Sequence, residues 1–109
     1  MTGILLITYG HIGKEILQAA SHILGQDVED IVLVSVYDQT TTTDSLPAQI
    51  EGALQRIGEN TPCLIMTDLH GCTHFNIASK YLQQSHVALV SGLNLPMLLR
   101  VLNHRDEDI

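Results

Sequence analysis

Two segments of the chain contain side chains that could carry out chemistry. The segment TYGHIGKE (8–15) contains Tyr9 and His11, and the segment DLHGCTHFN (68–76) begins with Asp68. An imidazole can act as a nucleophile or as an acid and base, and a nearby carboxylate fixes its tautomer. These residue types predict a site with a nucleophile and an orienting carboxylate, Asp68. The residues alone leave open whether Tyr9, His11 or neither reacts.

The second segment also has the features of an anion site. Gly71 allows a tight turn, and Thr73 and His74 open a predicted helix. The first N–H groups of a helix have no partner within the helix and can bind an anion such as a phosphoryl group. The same residues fit an ordinary helix cap followed by a solvated turn equally well, and their spacing does not decide between the two.

Four short apolar runs alternate with four amphipathic stretches along the chain. The runs are continuously apolar, which is typical of strands covered on both faces in a parallel sheet. We predict strands at 3–8, 31–37, 63–68 and 87–92. The amphipathic stretches predict helices at 12–24, from a cap at Thr43 or Asp44 to 57, at 73–82 with Thr73 as the cap, and at 95–103. The segment DQTTTTD (38–44) is predicted to be a polar loop.

The order βαβαβαβα predicts an α/β fold. We expect a doubly wound, mainly parallel four-stranded sheet with helices on both faces, forming three α/β/α layers. In open sheets of this kind, ligands bind beyond the carboxyl ends of the strands. Both chemistry-bearing segments follow predicted strands, so we expect them to meet at that edge of the sheet.

Composition restricts the class of protein. The chain has 109 residues, of which 45% are hydrophobic, so it can form a core and is not disordered. A formal net charge of −7 disfavours broad nucleic-acid binding, because an acidic surface repels phosphate backbones. No apolar run approaches the roughly 20 residues of a membrane span. We expect a cytoplasmic protein without direct membrane insertion.

The two cysteines, Cys63 and Cys72, do not have the spacing of a redox pair or a zinc site. Cys63 lies within an apolar run and is predicted to be a small core residue. Cys72 lies in a turn next to Gly71, where an exposed thiol fits, but nothing near it in sequence marks it as a nucleophile.

Several stretches resemble the IIA domain of the mannose-family sugar phosphotransferase system (PTS). They are ILLITYGHIGKEILQAASHILG (4–25), LIMTDLHGCTHFNIAS (64–79), VSGLNLPMLLRVL (90–102) and RDED (105–108), with the blocks D-x-x-G-x-T-x-x-N and G-x-N-x-P-M-L. The resemblance implies a doubly wound α/β fold, a homodimer, and transfer of a phosphoryl group from the carrier protein HPr to a IIB domain. It implies no cofactor.

The resemblance also assigns roles to individual residues. Tyr9 stands at the position of the phosphorylated histidine, and Asp68 matches the orienting aspartate. Gly71 and Thr73 match phosphoryl-binding positions, and His74 stands where the family usually has proline. A phenol with a pKa near 10 is a poor nucleophile at neutral pH. A phosphotyrosine ester would also retain the group instead of relaying it, so His11 is considered as a substitute acceptor.

The family continues past its Arg-Asp motif with another strand and helix, whereas this sequence ends at Ile109. We therefore expect one IIA domain over 1–109 that is truncated or lacks that element. The leading hypothesis is phosphoryl relay between HPr and a IIB domain. The first alternative is a regulatory or partner-binding domain that has lost the relay. The second is a metal site formed by His11, His70 and His74, since imidazoles suit zinc, nickel or copper.

Overall fold

The computed structural model describes residues 2–28, 30–37 and 39–105, with only the backbone of 39–44. The predicted alternation of strands and helices is confirmed. In chain order the elements are β1 (Gly3–Tyr9), α1 (Ile12–Leu24), β2 (Ile31–Val36), α2 (Gln39–Ile57), β3 (Cys63–Thr67), α3 (Thr73–Ser79), a 3₁₀ helix (Lys80–Gln83), β4 (Val87–Val90) and α4 (Leu95–Asn103).

The four strands form one parallel sheet with the order β2-β1-β3-β4. Ile4 of β1 lies opposite Ile31 on one side and Leu64 on the other. The chain passes from β1 to β2 and then returns to the other side of β1 to form β3, so the winding reverses between β1 and β3. Ligands of doubly wound sheets bind beyond the carboxyl ends of the strands at such a reversal. Tyr9 and Asp68 lie at this point.

The strands bury side chains on both faces, as their continuous apolarity predicts. Leu5 and Ile7 belong to a core cluster that includes Ile50 of α2 and Ala78 of α3. The alternate residues of β1, such as Leu6, belong to a second cluster with residues of α1 and α4. Helices therefore cover both faces, and the predicted three-layer α/β/α fold is confirmed. Among the described helices, none combines the length and apolar character needed to cross a membrane.

Helix α2 begins earlier than the sequence suggests. The backbone is helical from Gln39, so the predicted cap at Thr43 or Asp44 is wrong, as is the predicted loop over the described part of 38–44. Asp38 lies outside the described residues. The polar residues of DQTTTTD explain the error, because threonine and aspartate side chains bond to nearby backbone groups and are favoured at caps and in loops over helix interiors.

Helix α3 is shorter than predicted and has a different cap. Cys72 occupies the N-cap position and Thr73 is the first helical residue, so the predicted Thr73 cap is wrong. The α-helix ends at Ser79 and continues as the 3₁₀ helix through Gln83. The apolar periodicity of 73–82 does not distinguish these two helix types over so short a stretch.

Candidate functional site

The turn after β1 is held by backbone and threonine contacts. Thr8 is fully buried, and its Oγ1 accepts a hydrogen bond of 2.8 Å from the backbone N–H of Gly13. Gly10 has a φ of 54°, a conformation that glycine adopts without the strain a Cβ would add. The Tyr9 side chain is 54% exposed, whereas its backbone N–H donates to Oδ2 of Asp68 at 2.9 Å. This turn therefore presents its phenol to solvent and its amide to the neighbouring turn.

His11 lies at the N-cap position of α1 without a capping hydrogen bond from its side chain. It is exposed, and its ring packs edge-on against Tyr37, with centroids 5.9 Å apart. Tyr37 follows β2, and β2 and β3 lie on opposite sides of β1. The contact thus places the imidazole of His11 on the β2 side, away from the side where Asp68 follows β3.

The turn after β3 contains a buried carboxylate–imidazole pair. The side chains of Asp68 and His74 are each 6% exposed, and Nε2 of His74 lies 2.6 Å from Oδ1 of Asp68. The same oxygen accepts the backbone N–H of Leu69 at 3.0 Å, while Oδ2 accepts that of Tyr9. Each carboxylate oxygen therefore accepts at least one hydrogen bond. Asp68 bonds an imidazole of its own turn instead of one from the neighbouring loop.

A thiol completes this cluster. Sγ of Cys72 lies 3.5 Å from Nδ1 and 3.3 Å from Nε2 of His74, and 3.5 Å from the carbonyl oxygen of Leu69. Cys72 is partly exposed, whereas His74 is only 4% exposed. The arrangement therefore brings a partly exposed thiol and a buried carboxylate into contact with the same imidazole, within seven residues of the chain.

The remaining predicted residues lie around this cluster without joining it. Gly71 is exposed with a φ of 78°, and its carbonyl accepts a hydrogen bond of 3.4 Å from Nδ2 of Asn76. Thr73 is partly exposed at the start of α3. His70 is exposed and packs against Phe75, with ring centroids 4.6 Å apart.

The metal alternative has no geometric support. Within the described part of the chain, no three or more histidine, cysteine, aspartate or glutamate side chains are grouped so that they could hold a metal ion. Of the three histidines considered, His11 contacts Tyr37, His70 contacts Phe75 and His74 contacts Asp68. Their rings are thus engaged in three separate places.

Comparison with known protein families decides the family. Residues 3–108 match the family model EIIA-man, described as the PTS system fructose IIA component. The chain belongs to this IIA family. The structural fold, the site at the reversal between β1 and β3, and the earlier resemblance agree with that membership.

The chain is also similar to curated proteins of the phosphotransferase system. The chain is 26% identical over 106 residues to the PTS system mannose-specific EIIAB component of Escherichia coli K12, covering 96% of this chain and 32% of the relative. The same values hold for the EIIAB component of Shigella flexneri. The chain therefore spans about a third of the length of the curated relatives it matches.

Solved structures of IIA proteins have the same fold. The mannose/sorbose-specific IIA subunit of Enterococcus faecalis matches with a TM-score of 0.81 and 24% identity, over 93% of this chain and 75% of that one. The phosphotransferase system component EIIA of Streptococcus agalactiae matches with a TM-score of 0.77 and 27% identity, over 99% and 82% of the two chains.

For this IIA domain, sequence reasoning missed the contacts of His74 and Cys72. Asp68 and His74 are six residues apart, and only the path of the turn after β3 brings their side chains together. The signal in the sequence is His74 itself, which the resemblance places where the family usually has proline. A histidine at that position does not by itself indicate a buried imidazole, whereas in the structure its ring is buried against Asp68.

Proposed function

We propose that this IIA domain accepts a phosphoryl group from HPr and passes it to a IIB domain. The observation that carries the proposal is the location of the Asp68–His74–Cys72 cluster. It lies where the winding of the sheet reverses, next to the turn of Tyr9, the residue that the sequence resemblance matches to the family acceptor. A nucleophile supported by an imidazole and a carboxylate suits phosphoryl transfer, since the acceptor must lose a proton as the new bond to phosphorus forms.

The surface around the cluster supports docking of protein partners. Four large apolar or aromatic side chains at this edge are 45% to 57% exposed: Tyr9, Ile12, Tyr37 and Leu69. Aromatic residues of this kind are enriched at the centres of protein interfaces. We refer to these four residues as the edge surface. HPr and a IIB domain are its proposed occupants, and a cytoplasmic homodimer is the expected form of the protein.

A phosphorylation assay tests the proposal. The chain is incubated with phosphoenolpyruvate, enzyme I and HPr, and its intact mass is measured at neutral pH. We expect the mass of one phosphoryl group to appear, and to disappear again when the matching IIB domain is added. A chain that gains no mass while a known IIA domain does so under the same conditions would contradict the relay.

The second candidate function is a partner-binding IIA domain without relay, and the structure of the first turn favours it. The phenol of Tyr9 is exposed, and the carboxylate that would orient an acceptor there is already bonded to His74. This candidate predicts that HPr still binds while no phosphoryl group is taken up. Titration calorimetry with unphosphorylated HPr, run beside the mass measurement, separates the two candidates.

The variant Tyr9→His examines the first turn directly. It restores the family acceptor type at the end of β1. Phosphoryl uptake only in this variant would support the partner-binding candidate for the natural chain. Uptake by both chains, with different acid stability of the product, would support a relay that uses another acceptor in the natural chain.

A further inference from the structure

The thiol of Cys72 has the surroundings of an activated nucleophile. Its Sγ lies within 3.5 Å of both ring nitrogens of His74, whose Nε2 contacts Asp68 at 2.6 Å. The other nearby acceptor of the thiol is the carbonyl oxygen of Leu69 at 3.5 Å. A thiol reacts as its thiolate, so a neighbouring group that takes its proton increases its reactivity.

The contact with Asp68 determines which ring nitrogen of His74 carries the hydrogen. Asp68 can only accept a hydrogen bond when ionised, so the Nε2 of His74 carries the hydrogen in their 2.6 Å contact. Nδ1 is then the nitrogen with a free lone pair. Sγ of Cys72 lies 3.5 Å from Nδ1 and 3.3 Å from Nε2, so the thiol packs against the face of the ring. His74 can take the thiol proton on Nδ1 once a rotation of the Cys72 side chain brings Sγ towards the plane of the ring, since catalytic hydrogen bonds are often poorly aligned before substrate binds. The carboxylate of Asp68 would stabilise the imidazolium that forms.

The other candidate acceptors lack such support. The phenol of Tyr9 is exposed, and among the described residues no contact of its hydroxyl with a base is present. The ring of His11 packs against Tyr37 on the side of β1 away from β3. His74 is buried, with Nε2 bonded to Asp68 and with Sγ of Cys72 within 3.5 Å of both of its ring nitrogens. Of these four described residues, only Cys72 combines an intrinsically nucleophilic atom, partial exposure and a neighbouring base.

We propose that Sγ of Cys72 is the phosphoryl acceptor of this chain. The proposal rests on the proposed relay function and names its reacting atom. The donor is a phosphoramidate, the N–P bond of a phosphorylated imidazole such as that of HPr. An S-phosphocysteine remains reactive enough to pass the group to a second nucleophile, because a thiolate is a far better leaving group than an alkoxide.

The transfer balances without any further reactant. The S–H proton moves to Nδ1 of His74 while Sγ attacks phosphorus on the side opposite the N–P bond. The S–P bond forms and the N–P bond breaks. The donor nitrogen keeps the electron pair of the broken N–P bond. It then takes up the proton that His74 had accepted from the thiol. The net change is therefore exchange of a phosphoryl group for a proton between the donor imidazole and Cys72.

The first test uses two donors and one matched control. The full chain is incubated either with phosphorylated HPr or with the small molecule potassium phosphoramidate, and the modified peptide is located by mass spectrometry. We expect one phosphoryl group on Cys72 with both donors, none in Cys72→Ala, and unchanged uptake in Cys63→Ala. Cys63 is a suitable control because it is 2% exposed and burial raises the pKa of its thiol to about 11.

Each result of this test has a definite meaning. Modification of Cys72 by phosphoramidate alone would support Cys72 as the acceptor and contradict HPr as the donor. Modification by HPr at Tyr9 or a histidine would support the relay and overturn Cys72 as the acceptor. Absence of the group from Cys72 with both donors would overturn the inference. Release of phosphate by iodine, which oxidises sulfur, would identify an S–P bond.

The second test examines the role of His74 as the base, without any phosphoryl donor. The rate of Cys72 alkylation by iodoacetamide is measured against pH in the natural chain and in His74→Gln. Loss of a general base is expected to slow alkylation at neutral pH by about a hundredfold. At high pH, where hydroxide removes the proton, the two rates should converge. Parallel profiles across the whole pH range would contradict a base role for His74.

Discussion

The turns after β1 and β3 lie side by side but are built in opposite ways. In the first, Thr8 fixes the backbone of Gly13, while the functional groups of Tyr9 and His11 face outwards. In the second, the side chains themselves are fixed, because Asp68 is buried against His74 and bonded to two backbone amides. A side chain ordered by buried partners is better prepared for chemistry than one held only by its backbone.

The two turns are joined by one hydrogen bond, from the amide of Tyr9 to Oδ2 of Asp68. Through this bond the first turn contributes its backbone to the second, irrespective of its own side chain. The position that the family resemblance marks as the acceptor therefore does not have to supply the nucleophile here. The residue that the resemblance marks as the acceptor, Tyr9, lies in one turn, and the side chains with ordered contacts lie in the other. Variants of each turn can measure how much stability and reactivity depend on it.

Loss of the Asp68 carboxylate should have the largest effect on stability. Asp68→Ala removes the acceptor of three hydrogen bonds, from His74, Tyr9 and Leu69, and leaves the buried imidazole without its partner. Leaving buried donors without their acceptor typically costs about 1 to 3 kcal/mol, and more where the lost acceptor is charged, so we expect the free energy of unfolding to fall by about 3 kcal/mol. Urea denaturation measures this change.

The matched control is Asp27→Ala, because Asp27 is exposed and follows α1 at the other end of the helix from the site. Its free energy of unfolding should change by less than about 0.5 kcal/mol, as is usual for surface substitutions. Equal losses in the two variants would show that the second turn is not the more ordered one.

Addition of a methyl group at Gly13 should have the next largest effect. A Cβ there would lie 2.6 Å from Oγ1 of Thr8 and 2.8 Å from Cδ1 of Leu33. Overpacking of this kind typically costs 1 to 3 kcal/mol, so Gly13→Ala should destabilise the chain by about 2 kcal/mol. Because the clash lies beneath the first turn, reaction of Cys72 in the second turn should persist in folded protein.

Gly52→Ala provides the control for this glycine. Gly52 lies within α2, and a Cβ there would have no atom within 4 Å. Alanine at such a helical position should stabilise by about 0.5 to 1 kcal/mol. Thermal unfolding followed by circular dichroism should therefore shift in opposite directions for the two variants, and a shift in the same direction would contradict the close approach at Gly13.

The threonines at the ends of the two strands should respond unequally. Both Thr8 and Thr67 are fully buried, but Thr8 accepts the amide of Gly13, whereas Thr67 donates to the carbonyl of Leu69 at 3.2 Å. Thr8→Val leaves a buried N–H unsatisfied and should cost about 1 to 2 kcal/mol. Thr67→Val should cost less, because that carbonyl lies in an exposed residue and can bond to water. Urea denaturation of both variants compares the two losses in free energy of unfolding. A larger loss in Thr67→Val than in Thr8→Val would contradict this prediction and show that the second turn is held by its threonine.

Much of this molecule follows from the sequence because its signals are local and repeated. Continuous apolar runs such as ILLI and LIM predict buried parallel strands, and their order places Tyr9 and Asp68 at one edge of the sheet. The strand order confirms this placement. The start of α2 was not predictable in the same way, because Thr43 and Asp44 are strong local signals for a helix cap and the helix of the structure begins before them, at Gln39.

The contacts of the second turn could not be predicted for a different reason. Whether Cys72 and His74 face each other depends on the path of the turn and on the side-chain rotamers, and spacing fixes neither. Burial of Asp68 depends on the β1 turn, 59 residues earlier in the chain, whose amide it accepts. The sequence therefore predicted that Tyr9 and Asp68 lie at the carboxyl edge of the sheet, but not that Asp68 pairs with His74 there.

Truncation of Tyr9 should have the smallest effect on stability. Its side chain is 54% exposed, and its hydrogen bond to Asp68 comes from the backbone, which Tyr9→Ala retains. We expect the free energy of unfolding to change by less than about 0.5 kcal/mol, in contrast to Thr8→Val one residue earlier. Binding of HPr, measured by calorimetry, should weaken in the same variant because a large aromatic side chain leaves the edge surface. A loss of stability equal to that of Thr8→Val would mean that the phenol helps to hold the first turn, and the contrast between the two turns would not hold.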